Sequence, residues 1–388
     1  MRLLPFEYAV RNLWRSPSRT LGTFIGSALV VLLLLAAGGF VRGMETSLAE
    51  SGRDDNVILL GAGSEESTER SEISPSVADQ VLASVPGIRQ RLGVPYVSPE
   101  IHMAMLVRTS PDAKEGMQAV LRGVTPRAFL VHPQVRIIEG RAPREGYDEI
   151  MVGELVAARL GLSQEELAVG RTLYFDDRPW TIVGRFAAPG TVKHAEIWMP
   201  LQNLLIANKR TTISCVILTL DTAEFGDVSA FAQQRLDLEL VAVRESDYYA
   251  ELSRFYSPIR AMVWVTATLI GLGGVLGGFN TVYGALVSRI RELATLQTLG
   301  FSRLAIAINL MQESVLIASA GAVVAAGIAL LVLDRLSVRF SMGAFALTID
   351  APVIAAGLGL GLILGLIGAL PPAWRCLHPP IRDALYSS

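Results

Sequence analysis

The sequence predicts an α-helical membrane protein, with four transmembrane helices and a large α/β extracytoplasmic domain between the first and second. Three observations carry this. Only 18% of the 388 residues are charged while 51% are hydrophobic, and mean hydropathy is +0.42; a soluble globular chain carries about 25% charge. Three runs hold no charge at all, Thr20–Val41 and residues 261–288 and 351–374, and a fourth, Leu304–Leu333, is broken by Asn309, Gln312 and Glu313. A helix of about 20 apolar residues crosses a bilayer core of roughly 30 Å, and all four qualify. Finally, residues 43–260 are a different material, with 30 of the 36 acidic and 22 of the 34 basic residues.

In residues 1–19, Leu3, Phe6, Val10, Leu13 and Trp14 recur at helical spacing, while Glu7, Arg11 and Arg15 form a polar side. That is the pattern of an amphipathic helix lying among lipid headgroups. Pro17 ends it before the first crossing, residues 20–41. The 22-residue run is too long for the h-region of a cleaved signal, which spans about 7–15 residues.

Orientation follows from arginine bias. Residues 1–19 carry four arginines against one acid, residues 289–303 three against one, and the tail, 375–388, two against one. These segments are therefore cytoplasmic, both termini included. Spans then occupy 261–288, 304–333 and 351–374, leaving 42–260 and the short 334–350 loop outside.

In the outer domain, NVILL (Asn56–Leu60) reads as a strand, and SVADQVLASVPGI as a helix capped by Ser74 with Pro75 at its first position. EIHMAMLVRT, MQAVLRGV, ISCVILTLD and LELVAV read as strands and DVSAFAQQRL as a helix. Such units on both sides of an insertion suggest one α/β layer completed by the returning chain. The insertion, about 125–212, is richer in β-structure, with Asp176 and Asp177 turning a hairpin between TLYF and PWTIVG. SEESTERSE (64–72) reads as an exposed, mobile loop. A net charge of −8 over residues 43–260 argues against nucleic-acid binding. Cys215 and Cys376 fall on opposite sides of the membrane and cannot pair.

Glycines four apart, Gly22/Gly26, Gly273/Gly277, Gly274/Gly278 and Gly357/Gly361/Gly365, suit close helix contacts, within the chain or with a second subunit; ordinary glycine content of membrane helices is the plainer reading.

No reading of the chain gives an active site. None of the three lysines, Lys114, Lys193 and Lys209, ends a phosphate-cradling glycine loop. The four histidines, His102, His132, His194 and His378, show no metal-ligand spacing; His194 beside Glu196 is a weak pair. Asp54/Asp55 and Asp176/Asp177 read as solvated turns. Glu313 stands out, because a charge at bilayer depth by default suggests function. It serves either ion or proton movement or, with Asn309 and Gln312 as a polar patch, holds the inner loop in register; the missing ladder of partner carboxylates favours the second. The loop itself, RIRELATLQTLGFSR, has Ile290, Leu293, Leu296 and Leu299 on one side and Arg289, Arg291 and Glu292 on another, with Gly300 as terminator. It reads as an interfacial hairpin helix or, more sharply, as a docking element whose arginines meet carboxylates while its leucines enter a partner's groove.

RIRELATLQTLGFSR resembles the cytoplasmic coupling segment of MacB/FtsX/LolC-type ABC transporter permeases through Arg289, Arg291, Glu292, Gly300 and Arg303, and Glu313 matches a family glutamate at the start of the next span. AVRNLWRSPSRTLGTFIG is similar at Arg11, Asn12, Leu13, Arg19, Thr20 and Gly26. The outer segment is similar at Gly153, Leu160, Gly170, Val183, Gly184 and Pro200, and the tail at Pro372, Ala373, Arg375, Pro380, Ala384 and Leu385. Cys376, His378 and the scarcity of lysine depart from the pattern.

The resemblance implies a four-span, mechanotransmitting (type VII) permease without a fused ATPase, in a bacterial inner membrane, with a porter-like outer domain. It implies coupling to the ATPase through Arg289, Arg291, Glu292, Leu293, Leu296, Gly300 and Arg303. No cofactor is expected in this chain; ATP and Mg belong to a separate ATPase subunit. The implied partners are a cytoplasmic ATPase dimer, a second permease subunit, identical or related, and a periplasmic membrane-fusion adaptor with an outer-membrane channel. The expected function is ATP-driven extraction or extrusion of a lipid, lipoprotein, peptide or drug; the alternative is ATPase-coupled regulation of a cell-wall hydrolase outside the membrane.

Overall fold

The structure, a computed structural model, describes residues 4–15, 17–113, 115–287, 289–340 and 343–377. The expectations for Leu3, Lys114, His378, Pro380, Ala384 and Leu385 lie outside them. The chain divides into a helical unit, with the described residues up to Arg42, Pro258–Leu336 and those from Leu347 on, and an α/β unit, Gly43–Ser257 with Ser337–Ala346.

The helical unit opens with the short helix Phe6–Leu13. Four long helices follow, Pro17–Ser51, Ser257–Val287, Arg303–Ile328 and Ala351–Leu377, each apolar enough to cross a membrane. The third widens into a π-helical turn, Ala329–Leu333. Pro17 is the first residue of the first long helix, a position where its missing N–H costs nothing. That helix outruns its uncharged stretch by ten residues to Ser51, because METSLAE contains no helix breaker; the first charge does not mark the helix end. Asp350 caps the fourth helix by accepting from Val353 N at 3.2 Å, and accepts from Arg42 Nε at 2.7 Å.

The glycine pattern separates into two uses. A Cβ added at Gly357 would stand 2.6 Å from Leu35 Cδ2, and one at Gly365 2.6 Å from Val315 Cα. Gly361 abuts Ala322 in the same way, so this face of the fourth helix is a close-packed seam. Gly22, Gly26, Gly273, Gly277 and Gly278 meet nothing within 4 Å. They line a cavity of about 410 Å³ instead.

The α/β unit is built on fourteen strands: β1 (Asn56–Gly61), β2 (Gln90–Arg91), β3 (Val94–Pro95), β4 (Val97–Val107), β5 (Met117–Val124), β6 (Arg136–Gly140), β7 (Glu149–Gly153), β8 (Thr172–Phe175), β9 (Arg178–Ala187), β10 (Glu196–Pro200), β11 (Cys215–Thr219), β12 (Leu240–Arg244), β13 (Ser337–Phe340) and β14 (Gly343–Ala346). Ten of them make one sheet in the order β12-β1-β11-β4-β5-β10-β7-β9-β6, with β8 on β9. The returning strands β11 and β12 flank β1, as the split layer predicts, both antiparallel. Val57 and Leu59 pack toward the helices Val77–Ser84 and Phe225–Gln234, while Ile58 and Leu60 pack on the opposite face with Cys215 and Ile217. Burial on both faces is why NVILL is apolar without alternation.

The β-rich insertion is not a separate sheet: β10 pairs in parallel with β5, so one sheet runs through both parts. Asp176 and Asp177 turn the β8–β9 hairpin with φ of +50° and +52°, the left-handed pair a two-residue hairpin needs. Regular helix begins at Val77, two residues after Pro75; Ser74 still caps the turn, its hydroxyl accepting from Ser76 N at 3.3 Å.

The 64–72 loop corrects the expectation of a wholly exposed segment. Ser71 is fully buried and accepts from Gly61 N at 2.9 Å, and Thr68 meets His102 Nδ1 at 2.8 Å. Hydroxyls this short read as solvated in a sequence, yet each satisfies a buried group.

Candidate coupling site and the buried charge network

The loop after the second long helix folds as a short helix, Ile290–Thr298, stopped by Gly300 at φ +90°. Ser302 caps the next helix, its hydroxyl accepting from Ala305 N at 3.2 Å. Glu292 is the centre of the arrangement. It accepts from Tyr8 Oη at 2.5 Å, Arg15 Nη1 at 2.8 Å and Arg289 Nε at 3.0 Å. Burial pushes the Glu292 carboxyl up, but hydrogen bonds from Arg289 and Tyr8 outweigh it and hold it below the usual range. Arg289 continues to Glu313 Oε2 at 3.3 Å, which also accepts from Asn12 Nδ2 at 2.7 Å. Two carboxylates and one arginine thus join the N-terminal helix, the loop helix and the third long helix.

The leucine stripe points the other way from its expected use. Leu293 is 2% exposed and packs with Ile306, Leu310 and Ala373, while Leu296 lies partly buried against the same cluster. A stripe at helical spacing says that a face is covered; here the chain's own spans cover Leu293 and Leu296, while Leu299 stays exposed. Arg291, Thr295, Thr298, Leu299, Gly300 and Arg303 form the exposed side. Asn309 and Gln312 do not join the Glu313 node: among the described residues, Asn309 Nδ2 and Gln312 Oε1 are buried without a hydrogen-bond partner.

A second constellation, invisible in sequence spacing, lies in the α/β unit. Adjacent strands β4, β5 and β10 bring Glu100, Arg122 and Glu196 together. Arg122 is 3% exposed; its Nε and Nη2 donate to the Glu196 oxygens at 2.6 and 2.7 Å, and its Nη1 to Glu100 Oε2 at 2.6 Å. Burial pushes Glu196 up, but the Arg122 guanidinium prevails and holds it at about 2. Glu100 lies well below its usual range, with His132 and Arg122 overcoming burial.

Glu100, His102 and Cys215 stand close enough to suggest a metal site. The donor set does not fit a cation. Both Glu100 oxygens are taken, one by Ser98 and His132, the other by Arg122 and His102, and a guanidinium stands where the cation would. Burial raises the Cys215 thiol far above its usual range, away from the thiolate a metal requires. His194 does not pair with Glu196; its Nε2 meets Glu154 Oε2 at 3.0 Å. Asp55 is a structural partner of Arg53 and Arg89, and Asp177 of Arg108.

A third link, Lys193, is fully buried between β9 and β10. Its ammonium donates to Ser51 O at 3.0 Å and Glu245 Oε1 at 3.2 Å, and Asn56 Nδ2 holds the other Glu245 oxygen at 2.8 Å. The residue ending the first long helix and the residue opening the helix Glu245–Phe255 are thereby tied to one side chain.

Residues 20–234 match the MacB-like periplasmic core domain, and residues 264–381 match the FtsX-like permease C-terminal region. The chain belongs to the MacB/FtsX-type ABC transporter permease family. It is accordingly a non-catalytic, multi-pass permease subunit with four apolar helices and an extracytoplasmic α/β domain, and its family associates with ABC ATPases. Among solved structures, the periplasmic region of MacB from Actinobacillus actinomycetemcomitans is similar at 13% identity and a TM-score of 0.39, over 52% of this chain and 94% of that one. The extracellular domain of the noncanonic ABC-type transporter YknZ from Gram-positive bacteria is similar at 14% identity and a TM-score of 0.37, over 48% of this chain and 99% of that one. No curated relative matches the chain.

Proposed function

We propose that this chain transmits the stroke of a separate cytoplasmic ATPase dimer to its extracytoplasmic domain, in order to extract or extrude a lipid, lipoprotein, peptide or drug. In this reading both termini and the loop helix are cytoplasmic. The carrying observation is the Glu292–Arg289–Glu313 node, which binds the loop helix to the third long helix and the N-terminal helix. A push on the loop therefore moves helices and not a slack connection. Glu313 acts here as a register holder. The ATPase meets the exposed side, Arg291, Leu299 and Arg303, while Leu293 and Leu296 anchor inward. A second permease subunit, identical or related, covers the open glycine cavity, and an adaptor outside the membrane receives the cargo. Lys193 suits the outer end of such a device, since it ties the close of the first long helix to the approach of the second.

The test is capture of the ATPase by the full chain from its host's membranes, followed by ATP hydrolysis with Leu299→Glu and Arg291→Glu variants. Both variants insert normally and lose ATPase capture and stimulation. Wild-type capture and stimulation in both would remove the docking role assigned to this face.

A further inference from the structure

The α/β unit holds a cavity of about 160 Å³. An engineered core cavity of about 150 Å³ admits benzene, so the space suits a small apolar body. Met44, Leu48 and Leu252 contribute apolar wall, and charged groups face them. Most of that charge is already satisfied: Arg122 by Glu196 and Glu100, Glu245 by Lys193 and Asn56. Arg159 is the exception. It lines the cavity, is 7% exposed, and donates only through Nε, to Gln118 O at 3.2 Å. Among the described residues neither terminal nitrogen has a hydrogen-bond acceptor; Glu196 and Glu69 act on the guanidinium only through space, without a direct ion pair. A buried cation with spare donors is costly until a partner fills them. Glu69 lines the same space, and burial pushes its carboxyl up.

We propose that this cavity binds a small amphipathic anion, with one carboxylate or phosphate on the Arg159 fork and an apolar body about the size of a benzene ring against Met44, Leu48 and Leu252. The guanidinium fork matches either group through two parallel hydrogen bonds. The apolar wall rejects a hydrated inorganic ion, and the guanidinium gains nothing from a neutral hydrocarbon. The site does not depend on the coupling reading, because all its residues belong to the α/β unit.

The experiment is fluorine NMR of the full chain in zwitterionic nanodiscs, with 4-fluorophenylacetate, 4-fluorophenyl phosphate and neutral 4-fluorobenzyl alcohol as probes. At least one anion broadens saturably and is displaced by its unfluorinated counterpart; which one identifies the headgroup. Arg159→Gln weakens it about tenfold, the effect of losing one charge-assisted hydrogen bond, and Leu252→Trp abolishes it by filling the space. Circular dichroism checks each variant, and if Arg159→Gln does not fold, Leu252→Trp decides alone. Equal broadening by the neutral alcohol, no saturable binding by either anion, or unchanged binding in a folded variant overturns the proposal.

Discussion

Replacing Glu313 by alanine removes one acceptor from two buried donors. Asn12, 2% exposed, loses its 2.7 Å partner, and an unsatisfied buried amide costs about 1–3 kcal/mol. The Arg289 side chain, 12% exposed, loses Glu313 but keeps Glu292 at 3.0 Å, so its penalty stays below the roughly 3–5 kcal/mol of an ion left wholly unpaired. Together these give about 3 kcal/mol, or about a hundredfold at 1.4 kcal/mol per decade. The loss falls on the helix Phe6–Leu13, whose eight residues are too few to hold a helix alone. Hydrogen exchange in nanodiscs reads it directly. Amides of this helix exchange about a hundredfold faster in Glu313→Ala while those of β10 are unchanged. Glu313→Gln keeps an acceptor for Asn12 and gives a smaller acceleration, about fivefold for a loss near 1 kcal/mol. Equal exchange in all three proteins would falsify the proposed role of Glu313 as the tie between loop and N-terminal helix.

Glu196 makes the α/β unit acid-sensitive. A carboxyl whose pKa falls on folding adds stability above its unfolded value, and that stability is lost as pH drops through the folded value; from 4.5 to about 2, the contribution is on the order of 3 kcal/mol. Near-ultraviolet dichroism of the buried Trp198 follows the loss between those pH values, and a Glu196→Gln protein with the same pH slope would contradict it. Gly361→Leu forces the third and fourth long helices apart and lowers thermal stability in nanodiscs, by about 1–3 kcal/mol. Gly277→Leu, in open space, leaves the monomer stable and reduces pairing with a second permease subunit in crosslinking; the reverse ranking would reassign the two glycine faces. Lys193→Met leaves Glu245 buried with Asn56 and with His132 Nδ1 at 4.0 Å, a loss of up to about 3–5 kcal/mol, so exchange in the helix Glu245–Phe255 rises, and protection equal to wild type would show that Lys193 holds nothing.

What the sequence disclosed and withheld divides by the range of the interaction. Apolar length, the Asp176–Asp177 turn, Gly300 as a stop and NVILL as a strand are local, set by a few neighbouring residues, and each was legible. Partnership was not. Asn12 and Glu313 are 301 positions apart, and nothing near either residue names the other. Glu100, Arg122 and Glu196 meet only because β4, β5 and β10 are neighbours, and the β5–β10 contact is a parallel pairing that no hairpin signal announces. For the same reason the sheet's continuity through the insertion could not be read from its strands.

The loop helix shows how one pattern can leave its destination open. Leu293 and Leu296 recur as they must if one face is covered, but periodicity does not say whether the cover is another protein or the same chain. The charges decide it. Glu292 and Arg289 draw the helix down onto Tyr8, Arg15 and Glu313, and once those bonds form, Leu293 has no direction left but inward. The same geometry bears on Glu313. Arg289 is held by Glu292 as well as by Glu313, so the guanidinium is anchored from two sides. A node fixed in this way is suited to holding three helix ends in register, which is the property a loop needs if force applied to it is to reach the spans.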